Sequence, residues 1–138
     1  MGVIRILPDD RIEALLRDSV IARLACCAHG DGARPYLVPL PCFYDGESLV
    51  ALSGPGAKIG IMRANPLVTI EVDTGVAADR WSSVVAEGIY EEITEPGEQA
   101  RALAVIEAAT GEKQSLDPET ILFRIRLTAK SGRYELPE

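Results

Sequence analysis

Between residues 48 and 66 the chain reads SLVALSGPGAKIGIMRANP, and this stretch limits the folds open to it more than any other. Ser48–Leu52 is a short apolar run with strand character, and Ser53-Gly54-Pro55-Gly56 breaks it. Ala57–Ala64 then has helical spacing, with Ile61 at i+4 from Ala57. Asn65-Pro66 stops that helix, because a proline pushes the preceding residue out of the α region. The product is a strand, a glycine-rich turn and a helix of about two turns. A parallel sheet needs a longer crossover. Gly54, Gly56 and Gly60 therefore make a poor dinucleotide fingerprint, even with Asp73 ending the next strand. A phosphate-binding P-loop fits no better, since Lys58 is followed by Ile59 and not by Ser or Thr.

The rest of the chain reads as short strands with turns between them. Pro8-Asp9-Asp10 opens a helix in which Asp10 and Glu13 are spaced as a capping box and Ile12, Leu15 and Leu16 form the apolar stripe. Val20–Ala28 follows as a strand, His29-Gly30-Asp31-Gly32 as a turn, and Tyr36–Tyr44 as the next strand. Asp45-Gly46 then turns into Ser48–Leu52, which suggests an antiparallel meander. Leu67–Asp73 presents Val68, Ile70 and Val72 on one face, and Trp81–Ile93 is a longer strand in which Gly88 marks a bulge or corner. Pro96-Gly97-Glu98 starts a further helix, with Ala100, Leu103, Ala104 and Glu107 at helical spacing and Gly111 as its stop. Thr120–Ala129 alternates, Ile121, Phe123, Ile125 and Leu127 inward and Arg124 and Arg126 outward. Six short strands with three helices and no repeat imply one β-barrel-like α+β domain over residues 1–138.

Composition narrows the partners. A formal charge of −7 argues against nucleic acid, whose backbone selects basic surfaces, but leaves room for a small phosphorylated ligand on a local basic site. No apolar run is long enough to span a bilayer, and the first ten residues lack a signal-peptide core. Of the three cysteines, Cys26 and Cys27 are neighbours on a strand and point to opposite faces, poorly placed for a shared disulfide or metal. A reducing cytoplasm is the expected compartment. His29 is the single histidine, so neither a metal site nor a catalytic Ser–His–Asp or Cys–His arrangement is expected.

Two features carry binding chemistry. At the start of the short helix, free backbone N–H groups, the Ser53 hydroxyl and the Lys58 ammonium make a candidate phosphate site; a solvated helix lysine is the plain alternative. Pro39 and Pro41 remove two backbone donors from the same side of their strand, so that flank must be a sheet edge. Such an edge either accepts a flat ligand or another chain, or is simply blunted against aggregation. Trp81, the only tryptophan, reads equally as a core or interface anchor and as a cofactor contact.

Taken in order, these pieces resemble the pyridoxamine 5′-phosphate oxidase-like, FMN-binding split-barrel superfamily. The similarity is closest to its small flavin-binding branch, which includes nitroimidazole-resistance-like proteins. The resemblance rests on Ile21-Ala22-Arg23-Leu24-Ala25, Pro35-Tyr36-Leu37-Val38-Pro39-Leu40, Gly54-Pro55-Gly56-Ala57-Lys58, Asn65-Pro66, Trp81-Ser82-Ser83-Val84 and Glu87-Gly88. It implies a six-stranded antiparallel split β-barrel with short flanking helices, working as a homodimer with FMN at the subunit interface. Tyr36, Leu37, Val38, Pro39 and Leu40 would lie along the flavin ring. Leu52, Ser53 and Gly54 through to Lys58 would hold the phosphate, Ser83 would make a polar ring contact, and Trp81 would reach in from the partner. Tyr36 and Ala57 stand where the pyridoxamine phosphate oxidases carry phosphate-binding arginines, which leaves Lys58, Ser53 and backbone N–H groups, with Arg63 as a second cation. Residues for pyridoxamine phosphate itself are not evident, so that activity is not carried over. The expected function is an FMN-dependent oxidoreductase, similar to flavin reductases and nitroreductases, acting on a small organic acceptor, with no side chain singled out as acid or base. The alternatives are a deazaflavin-dependent reductase using F420 and a non-catalytic flavin- or haem-binding protein.

Overall fold

Eight strands and three helices follow one another along the chain in a computed structural model that describes residues 2–138. Met1, the first residue of the expected domain, lies outside the described residues. The elements are β1 (Val3–Ile6), α1 (Asp9–Asp18), β2 (Ile21–Cys27), β3 (Pro35–Pro41), β4 (Phe43–Tyr44), β5 (Ser48–Ser53), α2 (Ala57–Ala64), β6 (Leu67–Ala77), β7 (Arg80–Glu92), α3 (Pro96–Thr110) and β8 (Ile121–Leu136). All pairings are antiparallel and run β3-β2-β6-β7-β8-β5-β4, with β1 added on β8. Strands β3 and β4 occupy opposite ends of that path, yet only Cys42 separates them in the chain. The sheet must therefore curl round until its ends meet, and the Cys42 N–H bonds the Val20 carbonyl at 3.0 Å as it does so. This is an α+β split barrel.

The strand count is eight, not six, and the reasons are physical. The expected Tyr36–Tyr44 strand is two, broken at Cys42 where the chain passes from one sheet edge to the other. β1 is a four-residue strand exposed on both faces, with no alternation to betray it. Only its register with the end of β8, Val3 opposite Leu136 through Ile6 opposite Arg133, makes it a strand. The expected end of β8 at Ala129 also falls short, because Ser131-Gly132 resembles a turn but runs on as strand to Leu136. Gly132 is required there, since a Cβ would lie 2.8 Å from the Leu7 side chain and 3.0 Å from Ile12.

Inside the barrel, Leu16, Leu24, Met62, Ile70, Val84 and Phe123 pack into one core. A smaller cluster under α3 joins Val50, Ile93, Ala102, Ile106 and Leu122. β8 feeds both, Phe123 and Ile125 into the barrel and Leu122 toward α3, so the expected inward face is met and the opposite face is also covered. Along α3 the buried positions are Ala102 and Ile106, whereas Ala100 and Ala104 face solvent. The helix starts on a Glu95 cap that accepts from the Gly97 and Glu98 N–H groups and ends at Gly111 in the left-handed region. α1 also corrects its expected cap. Pro8 occupies that position without a side-chain bond, and Asp10 lies in the first turn. Glu13 turns away to the barrel wall, accepting from Tyr44 Oη at 2.5 Å and from Lys130 Nζ at 2.7 Å. No helix among the described residues is long and apolar enough to cross a membrane.

Candidate functional site

α2 starts where β5 ends, and its first turn is open. Gly56 precedes it in an extended conformation (φ 171°, ψ −171°) and offers no side chain to cap it. The first helical bond is Gly60 N–H to the Gly56 carbonyl, so the N–H groups of Ala57, Lys58 and Ile59 have no acceptor within the helix. The approach is clear, since nothing lies within 4 Å of where a Cβ would sit on Gly54 or Gly56. Ile59 and Met62 are buried and fix the direction of the helix, while half-buried Lys58 makes no ion pair among the described residues. The Ser53 hydroxyl donates to the Gly54 carbonyl at 2.8 Å and must rotate before it can donate to an anion. Partial positive charge at a helix start, three free donors and one ammonium are what a phosphate dianion requires.

Arg63 is not the second cation. It sits in the last turn of α2 and forks onto Glu92 at 2.7 and 2.9 Å, a bidentate pair that holds the Glu92 carboxyl below its ordinary range.

β3 runs beside this turn as the sheet edge that its prolines require, paired with β2 alone. Tyr36, Val38 and Leu40 face inward with increasing burial, whereas Leu37 and Pro39 face outward. Leu40 is buried in the core, so any contact from it to a ligand is made by backbone. Tyr36 lies opposite Cys26 in the β2 register. Burial pushes the Cys26 thiol above its ordinary value, and the Lys58 ammonium is close enough to pull weakly the other way. The start of β3, Leu52–Gly54 and Lys58 are thus gathered at one end of the barrel.

Trp81 and Ser83 are not at that end. Ser83 pairs with Asp73 and Arg133 near the start of β7, while Ser53 pairs with Ile121 beside the other end of the same sheet. Nine residues of strand separate Ser83 from Glu92, a span of about 30 Å. Trp81 is instead half-buried against β8, its indole N–H bonding the buried Glu135 at 3.0 Å.

Sequence reasoning missed the outward face of β2, β6 and β7. A cavity of about 440 Å³ opens there, walled by Ala25, Cys27, Leu67 and Ile89 with Thr69 and Glu87 at its polar side. Strand alternation alone would have placed these six on one face, but not next to one another. Further along the same face, Arg23 reaches Asp73 at 3.4 Å and Glu71 at 4.0 Å. Burial, with Asp73 adding to it, pushes the Glu71 carboxyl up to about 7. A carboxyl raised above its unfolded value favours the fold while it is protonated, and that contribution is lost as pH rises from about 4.5 through 7. Glu71→Gln is therefore expected to raise the thermal midpoint at pH 8 and to leave it unchanged at pH 4; equal melting at pH 8 would show that Glu71 ionises freely.

Against known proteins, a family model described as pyridoxamine 5′-phosphate oxidase matches residues 8–134. A curated relative from Rhizobium meliloti (strain 1021) is 33% identical over 90 residues, 65% of this chain, and the match spans 58% of that relative's length. Among solved structures, an FAD-binding protein from Mesorhizobium loti is 36% identical with a TM-score of 0.78, covering 96% of this chain and 98% of that one. A candidate 5-nitroimidazole antibiotic resistance protein from Bacteroides thetaiotaomicron VPI-5482 is 21% identical with a TM-score of 0.82, over 97% of this chain and 89% of that one.

Proposed function

Because the chain belongs to the pyridoxamine 5′-phosphate oxidase family, we propose that it binds FMN and works as a flavin-dependent oxidoreductase on a small organic acceptor. The observation that carries this reading is the open first turn of α2, uncapped, uncrowded and furnished with the unpaired Lys58. Lys58 and the N–H groups of Ala57, Lys58 and Ile59 hold the phosphate. The outer edge of β3, from Tyr36 to Leu40, borders the ring. When bound, the flavin supplies the hydride and electron chemistry, and the chain orients it and keeps water from one side.

The active form is a homodimer. Trp81 and Ser83 stand toward the far end of β7 from Glu92, which pairs with Arg63 of α2, so they join the site from a second copy. Exposed Leu37 and Leu67 on the outward face supply apolar area for that contact. FAD is the second reading. The 36% identical Mesorhizobium loti protein is described as FAD-binding, and FAD carries the same first phosphate.

The test is a fluorescence titration of the flavin-free protein with FMN, FAD and riboflavin, together with sedimentation. Riboflavin lacks the phosphate and is expected to bind at least about tenfold more weakly than FMN, since charge-assisted bonds carry much of the affinity. Equal binding of riboflavin and FMN would remove the phosphate site. A protein that stays monomeric with flavin bound would remove the shared interface.

A further inference from the structure

One row of residues crosses four strands: Gly75 on β6, Trp81 on β7, Glu135 on β8 and Ile4 on β1. Within it, Glu135 is a carboxylate only 6% exposed. Two N–H groups hold it, one on each oxygen. The Trp81 indole donates to Oε1 at 3.0 Å, and the Gly2 backbone donates to Oε2 at 2.8 Å. A carboxylate taken out of water is stabilised by such donors and is left with its desolvation cost when one is lost, so both bonds are strongly favoured. Residue 2 is fitted to this contact as glycine, since a Cβ there would lie 2.9 Å from Glu135 Cγ and would overlap the Leu136 carbonyl. On its other side Trp81 has no comparable support. Its cross-strand neighbour on β6 is Gly75, which brings no side chain.

From this arrangement we propose that Glu135 is a positioning residue, which fixes the orientation of Trp81 against the flavin held by a second copy of the chain. The role toward flavin rests on the function proposed above; the hold of Glu135 on the indole does not. A half-buried indole at a sheet surface has several staggered rotamers open to it, and a bond to its N–H selects one. Glu135 makes that selection before the flavin arrives, so less side-chain freedom is lost on binding. The residue type matters. An ionised carboxylate offers an acceptor to each of the two donors, whereas a glutamine offers one acceptor and turns an NH2 group toward the other donor.

Two measurements on the full chain test it. Trp81 is the only tryptophan, so tryptophan emission reports on this ring alone. In flavin-free protein, Glu135→Met, which keeps the bulk and removes both acceptors, is expected to raise acrylamide quenching of that emission. Fluorescence titration with FMN then compares the parent, Glu135→Met, Trp81→Phe and the double variant. Trp81→Phe keeps a ring but has no N–H for Glu135 to hold. Each single variant is expected to bind FMN about two- to tenfold more weakly, the range for one aromatic contact. The double variant is expected to bind FMN as Trp81→Phe does, because Glu135 acts through the indole. A merely structural Glu135 would lower affinity by the same factor in both backgrounds. That equal loss, or acrylamide quenching unchanged from the parent, would overturn the proposal and leave the flavin reading standing. Glu135→Ala takes both measurements if the methionine variant does not fold. A parent that fails to bind FMN would sink the flavin reading itself, and the role of Glu135 in it.

Discussion

Lys58→Ala weakens FMN binding by about ten- to a hundredfold, the equivalent of one charge-assisted hydrogen bond of about 1.5–3 kcal/mol. The ammonium is the one cation in the open first turn of α2, because Arg63 at the other end is held by Glu92. Riboflavin, with no phosphate to lose, binds the variant as it binds the parent. Fluorescence titration of both ligands against both proteins separates the phosphate contribution from a general loss of structure. The side chain is half-buried and unpaired, so removing it leaves the core intact. Lys58→Arg keeps the charge and recovers most of the affinity. An unchanged FMN affinity in Lys58→Ala would place the phosphate elsewhere.

Phe123→Ala costs the fold about 3–5 kcal/mol, the range for deleting a fully buried aromatic ring. Phe123 has no exposed surface and packs its ring 5.2 Å from that of Tyr90 at an interplanar angle of 47°. It pairs with Ala51 on one side and Glu92 on the other, so its side chain fills the barrel where β5, β8 and β7 meet. Against a typical total of about 5–15 kcal/mol, the loss is large and lowers the thermal midpoint by roughly 10 °C or more. Phe123→Leu keeps part of the volume and costs about 1–2 kcal/mol. Urea unfolding of the three proteins checks the order. A loss under about 1 kcal/mol for Phe123→Ala would mean that the surrounding strands close over the gap.

Much of the fold is legible in local pattern. Val68, Ile70 and Val72 alternate with polar residues because strand side chains point to opposite faces, and all three are buried. Pro39 and Pro41 require an edge because they have no N–H to give a neighbour, and β3 is that edge. Gly88 marks a bulge, and the register shifts there. The open start of α2 is legible for the same reason. A glycine turn, a helix start and a lysine one residue into the helix are consecutive in the chain.

What local pattern cannot carry is partnership between distant residues. β1 has no internal periodicity and exists through pairing with residues more than 120 positions away. Arg63 looked free until the sheet brought Glu92, 29 residues on, to within 2.7 Å. Trp81 and Ser83 share a motif order with Lys58, yet they lie nine or more residues along β7 from Glu92, the partner of Arg63 in α2. Alone, then, the sequence determined the class of fold, the sheet edge and the opening of α2, because each depends on the backbone chemistry of neighbouring residues. Tertiary structure alone decided which charges are neutralised, where the outward cavity lies and which site residues meet, because these depend on strand register and barrel closure.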